Sequence, residues 1–203
     1  MKTFLKLVFL LAALATGGSA QAARTLLVFG DSLSAGYGIA RTDSWVNLLR
    51  LELKKSHPQF DVVNASISGE TTAGGLRRIG AALQQHQPTI VILALGANDG
   101  LRGTPLALTE QNLDRIIEQS RAAQAGVLLL GMRLPPNYGA DYTARFQALY
   151  PKLARKHKLP ILPFMLEGIA AEQFLPDNLH PNAAAQPIIM QNVMQHLKPL
   201  LNR

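Results

Sequence analysis

The run Thr25-Leu26-Leu27-Val28-Phe29-Gly30-Asp31-Ser32-Leu33-Ser34 decides the fold. Five residues rich in β-branched and apolar side chains pass through a glycine into a polar turn, so a buried strand ends where a serine hydroxyl begins. Runs of the same kind recur at 60–64, 89–95, 127–131 and 159–163. Between them lie longer segments with apolar residues at helical spacing, 43–56, 72–87, 109–125 and 141–157, and Pro181 is expected to start a last helix. Strict alternation of strand and helix implies parallel strands joined by right-handed crossovers. The expected fold is therefore α/β: a three-layer α/β/α sandwich, flavodoxin-like, around a five-stranded parallel sheet. Such sheets put their chemistry at the carboxyl ends of the strands.

Upstream of this pattern the sequence changes character. Lys2 and Lys6 precede the uncharged apolar run 7–15, and the small-x-small sequence Ala20-Gln21-Ala22 follows. Residues 1–22 read as a removable secretory signal, too short in its apolar part to span a bilayer. The 203 residues less these 22 leave 181, one domain at 23–203. The expectation is an exported, periplasmic monomer with no stable membrane insertion.

Composition narrows the chemistry. With 48% hydrophobic and 16% charged residues the chain is able to bury a core, which excludes a disordered or collagen-like protein. It has no cysteine, so disulfides, thiolate metal sites and a cysteine nucleophile are excluded. The leader holds two of the 20 basic and none of the 13 acidic residues, leaving 18 against 13 and a formal charge of +5. No basic run exceeds Arg77-Arg78 and no aromatics interleave with it, so nucleic acid is not an expected partner.

The polar residues gather at the expected strand ends. Ser32 follows the first strand, Gly69 lies in the loop after the second, and Asn98 follows the third in Gly96-Ala97-Asn98-Asp99. Near the C-terminus, Asp177-Asn178-Leu179-His180-Pro181 places a carboxylate three residues before a histidine. That spacing lets Asp177 accept from one imidazole nitrogen while the other faces outward as a base. The start of the last helix at Pro181 is expected to disfavour imidazolium, and Asp177 to favour it. A serine hydroxyl needs such a base to become a nucleophile. Ser32, Asp177 and His180 thus supply nucleophile, orienter and base. The Ser32 and Gly69 N–H groups and the Asn98 amide are placed to hold an oxyanion.

These residues resemble the four blocks of the SGNH or GDSL hydrolases: Gly30-Asp31-Ser32-Leu33-Ser34, Gly69 within Ser68-Gly69-Glu70, Gly96-Ala97-Asn98-Asp99, and Asp177-Asn178-Leu179-His180. The resemblance implies the same assignments: Ser32, Asp177 and His180 catalytic, with Ser32, Gly69 and Asn98 forming the oxyanion hole. The stretches 25–37, 64–75, 98–103 and 134–138 are similar to the periplasmic subgroup whose members act as acyl-thioesterase, arylesterase and lysophospholipase. That likeness implies acyl thioesters and carboxylic esters as substrates, lipid esters among them, and no metal or organic cofactor. It places the acyl groove in two loops, with Leu101, Leu134, Pro135 and Tyr138 as substrate-binding residues. Gly100 and Gly103 flank Leu101, so the 100–105 loop is expected to move over an acyl chain.

Other residues take plainer readings. His57, His86, His157 and His196 are expected at the surface and Trp45 in the core or at its rim. Asp31 and Asp99 are expected to orient their loops through backbone hydrogen bonds. The rivals are a carbohydrate O-acetyl esterase of the same fold, a metal-dependent phosphoesterase using Asp31, Asn98, Asp99 and a histidine, a phospho-receiver or other binding module, and an exported lipid-binding protein without catalysis.

Overall fold

A computed structural model describes residues 23–202, so the expected leader at 1–22 lies outside the described residues. Five strands, β1 (Arg24–Gly30), β2 (Phe60–Asn64), β3 (Ile90–Ala94), β4 (Gly126–Leu130) and β5 (Ile161–Leu162), form one parallel sheet in the order β2-β1-β3-β4-β5. This is the expected doubly wound arrangement. β3 is buried at every residue, as a strand covered on both faces requires, whereas the edge strand β2 is buried only at Phe60.

Among the described residues, seven α-helices accompany the strands: α1 (Ser32–Ala35), α2 (Trp45–Ser56), α3 (Thr72–His86), α4 (Ala97–Leu101), α5 (Leu106–Ala122), α6 (Ala140–His157) and α7 (Gln186–Leu201). α2 packs with α7, while α5 packs with both α3 and α6, giving the two outer layers. Their starts are chemically marked. Ser44 Oγ accepts from Asn47 N–H to cap α2, and Thr71 Oγ1 accepts from Gly74 N–H to cap α3. The core joins Leu26, Phe29, Ile92 and Leu93 of the sheet to Trp45, Ile116, Phe146 and Val193 of the helices, all fully buried. Burial of each such large side chain is worth about 1.5–3 kcal/mol. Among the described residues, no helix is long and apolar enough to cross a membrane.

Four expectations need correction. β5 covers only Ile161–Leu162 rather than 159–163, because Pro160 and Pro163 flank it and lack the N–H a longer ladder needs. α5 runs three residues earlier than expected, starting directly after Pro105 and ending before Gln124, which turns left-handed at φ 63°. Pro181 does not open the last helix: it pairs with Phe174 in an isolated antiparallel bridge, and Asn182 caps a 3₁₀ turn, Ala183–Ala185, ahead of α7. The positive end of α7 is thus set back from His180. Finally, His157 is buried, its Nε2 2.6 Å from Asp114 Oδ1, and it ties α6 to α5. It continues the buried stripe Phe146, Leu149, Tyr150, Leu153, whose helical spacing was readable in the sequence.

Candidate active site

β1 delivers its chain to Asp31, which caps α1: its Oδ1 accepts from Leu33 N–H at 3.0 Å. Ser32 is therefore the first residue of a helical turn at the carboxyl end of β1, at the crevice between β1 and β3 where the sheet order switches. His180 arrives there from a loop far along the chain. Its Nε2 lies 2.8 Å from Ser32 Oγ, and its Nδ1 lies 2.7 Å from Asp177 Oδ2.

The Asp177 loop is folded by its own side chain. Oδ1 accepts from the N–H groups of Leu179 (2.9 Å) and His180 (3.0 Å), and Asn178 takes the left-handed conformation at φ 55° that asparagine tolerates. The His180 amide above all holds the Asp177 carboxyl down at about 2, so it is ionised at neutral pH. An ionised Oδ2 keeps the imidazole proton on Nδ1 and leaves the Nε2 lone pair toward Ser32.

Two buried side chains hold these distant segments in register. Trp45 Nε1 donates to Leu33 O at 3.1 Å, next to the serine. Gln186 Oε1 accepts from Trp45 N–H at 2.9 Å, and its Nε2 donates to Pro181 O at 3.2 Å, next to the histidine. Trp45 is thus a core residue, as expected, with a polar task added.

Three donors border the same spot. Ser32, Gly69 and Asn98 all line the cleft. Among the described residues, nothing accepts from the Ser32 or Gly69 N–H groups. Gly69 sits at φ 78°, where a side chain would be strained. Asn98 Nδ2 donates to Glu70 O at 3.0 Å, with Asp31 Oδ2 at a long 3.5 Å from the same nitrogen. Burial pushes the Asp31 carboxyl up to about 7. Asp31 orients its own turn, as expected. Asp99 instead reaches across to α3: Oδ2 accepts from Thr72 N–H (2.8 Å) and Oδ1 from Thr72 Oγ1 (2.6 Å). Both its oxygens are therefore occupied, which does not suit the metal-ligand role of the phosphoesterase reading.

The cleft encloses about 500 Å³. Leu101, Leu134 and Pro135 line it, joined by Met132, Phe164, Leu166 and Phe174, which sequence reasoning missed. Those residues follow β4 and β5 or precede the Asp177 loop, and only the three-dimensional return of these segments brings them to Ser32. Tyr138 is outside the lining, and its hydroxyl donates to Leu101 O at 3.2 Å. The 100–105 loop begins inside a helix. Its first two residues belong to α4, and Gly100 is packed so closely that an added Cβ would lie 2.6 Å from Leu134 Cδ2. A side chain at position 100 would have no room. Tyr142 Oη donates to Gly100 O at 3.1 Å, a second tether.

Tyr37, also missed, lays its ring on the His180 imidazole at 4.5 Å between centroids. Arg102 Nη2 donates to Gly69 O at 3.2 Å. Both sit within quoted motif stretches, but no periodicity marks them. The other histidines, His57, His86 and His196, are outside the cleft lining.

Known proteins are similar to this chain over most of its length. The family model described as "GDSL-like Lipase/Acylhydrolase family" matches residues 28–187. The chain is 47% identical over 182 residues to Esterase TesA of Pseudomonas aeruginosa, covering 89% of this chain and 90% of that one. It is also 47% identical over 185 residues to Thioesterase 1/protease 1/lysophospholipase L1 of Escherichia coli, covering 90% and 88%. A crystal structure of TesA superposes with a TM-score of 0.85 at 46% identity, over 87% of this chain and 99% of that chain. The match over most of the chain, together with the shared fold, shows that the protein belongs to the GDSL-like lipase/acylhydrolase family.

Proposed function

We propose that the protein is a serine hydrolase that cleaves acyl thioesters and carboxylic esters through an acyl-enzyme. The observation that carries this reading is the hydrogen-bonded series Asp177–His180–Ser32 opening onto an apolar cleft. His180 Nε2 takes the Ser32 proton as Oγ attacks the acyl carbonyl carbon. The carbonyl oxygen becomes an anion held by the Ser32 and Gly69 N–H groups and the Asn98 amide. When the tetrahedral adduct collapses, the bond to the thiolate or alkoxide breaks and His180 returns the proton to that leaving group. Water then attacks the acyl-Ser32 ester, again deprotonated by His180, and releases the carboxylic acid. Asp177, ionised throughout, stabilises the imidazolium formed in each half.

Leu101, Met132, Leu134, Phe164 and Phe174 give the acyl side an apolar wall, which favours acyl chains over the acetyl group of a carbohydrate. The E. coli relative's name includes thioesterase and lysophospholipase, which supports thioesters and single-chain lipid esters as the substrate class. The letters of 1–22 support export to the periplasm. The test is a panel of p-nitrophenyl esters and acyl-CoA thioesters of increasing chain length. Hydrolysis of both classes, rising in kcat/KM beyond the acetyl member, is expected. Activity confined to acetyl esters of sugars would transfer the protein to the O-acetyl esterase reading.

A further inference from the structure

The Asn98 amide is aimed by a carbonyl, Glu70 O, that belongs to the same loop as the Gly69 N–H. One Nδ2 hydrogen goes to that carbonyl, which fixes the plane of the amide, while the other has only the long 3.5 Å contact to Asp31 Oδ2 to give up when an oxyanion arrives. Whatever sets the Glu70 backbone therefore sets two of the three oxyanion donors at once. The Glu70 side chain is itself held. Its Oε2 pairs with Arg78 Nε at 2.5 Å, and both side chains are mostly buried, at 11% and 24% exposure. Arg78 lies one helical turn beyond Gly74 on α3, and its guanidinium carbon stacks 3.9 Å over the ring of Phe29. Phe29 belongs to β1, two residues before Asp31.

The fit leaves no slack on the other side of Glu70. Its Oε1 occupies the space a side chain at position 74 would need, and an added Cβ at Gly74 would overlap it. Glu70 also lies at the amino end of α3, where the helix dipole favours a carboxylate.

We propose that Glu70 and Arg78 are positioning residues for the oxyanion hole. Arg78, braced on the strand that delivers Ser32, fixes the Glu70 carboxylate, and Glu70 in turn fixes the Gly69 N–H and the Asn98 amide relative to the nucleophile. Neither side chain lines the cleft, so neither is expected to touch substrate. The inference rests on the reading of Ser32 as nucleophile and of Gly69 and Asn98 as oxyanion donors.

The test uses the full chain and three changes that approach the device separately: Arg78→Met, Glu70→Gln and Gly74→Ala. Active sites are counted first by stoichiometric labelling with a p-nitrophenyl alkylphosphonate, so that misfolded protein drops out of kcat. Two quantities are then read per active site: kcat/KM for a p-nitrophenyl ester, and the Ki of a trifluoromethyl ketone, which binds as an oxyanion. Outright loss of a donor is worth about 10²–10³ in rate, so its misalignment is expected to lower kcat by about tenfold with KM little changed. Ki is expected to rise in parallel. Arg78→Lys, which keeps the cation, is expected to recover part of the loss, and Arg78→Met with Glu70→Gln to lose little more than either alone. Gly74→Ala is the most selective of the three, because it disturbs only the carboxylate and improves helix propensity. Variants with full kcat and unchanged Ki per active site, differing only in melting temperature, would overturn the proposal and leave the pair a stability feature. Wild-type protein that is not labelled by the phosphonate would instead strike the underlying reading of Ser32.

Discussion

His180 Nε2 lies 2.8 Å from Ser32 Oγ although 148 residues separate them in the chain. The contact is imposed by the fold: β1 ends at the serine, the Asp177 loop carries the histidine, and Trp45 with Gln186 bonds the backbone beside each. A nucleophile and base that act as a unit lose their effect together. Ser32→Ala and His180→Ala are each expected to remove nearly all turnover, and the double variant to lose little more. Multiplying losses, measured as kcat on a p-nitrophenyl ester, would contradict the pairing.

Gln186 is nearly inaccessible, and its carbonyl and amide serve both segments. Gln186→Leu leaves the Trp45 N–H and the Pro181 carbonyl without partners, at about 1–3 kcal/mol for each buried group. The expected result is a lower melting temperature together with a reduced kcat, as the Pro181 end of the loop loosens. A loss of stability with kcat intact would show that the histidine loop is held by other contacts.

Burial raises Asp31 from 3.8 to about 7, so folding favours its protonated form. The stability this contributes is fully present below 3.8 and is lost as pH rises through about 7. Asp31→Asn is neutral throughout. The melting temperature of the variant minus that of the wild type should therefore grow between about pH 4 and about pH 8. A difference independent of pH would mean that Asp31 titrates as an ordinary carboxylate.

Gly100 packs against Leu134 and Phe146, with an added Cβ at 2.6 Å from the first and 2.8 Å from the second. Gly100→Ala is expected to cost about 1–3 kcal/mol in denaturant unfolding, the usual range for overpacking. Because Leu134 also lines the cleft, KM for long acyl substrates should rise while short ones are little affected. Equal effects on both would remove Leu134 from the acyl wall.

The sheet was legible because its strands are short, apolar and bounded by breakers: β2 matches its expected range, and β1, β3 and β4 shift by a residue at their ends. The site was legible where a residue's task depends on neighbours in sequence. Asp177 folds its own loop onto His180, and Asp31 caps its own turn. It was not legible where the task depends on a residue arriving from elsewhere. Phe164 and Phe174 join the cleft through segments that return to it, Tyr138 hydrogen-bonds the Leu101 carbonyl, and Asp99 spends both oxygens on Thr72 of another helix. His157 shows the opposite failure. Its buried stripe could be read by spacing, yet its polar letter suggested the surface until Asp114 supplied a partner.

The proposed acyl-enzyme requires that Ser32 Oγ be the oxygen that is acylated. Treatment with a fluorophosphonate probe, followed by intact-mass measurement and peptide mapping, is expected to give one adduct per chain on Ser32 and none in Ser32→Ala. An adduct on any other residue, or one that persists in Ser32→Ala, would contradict it.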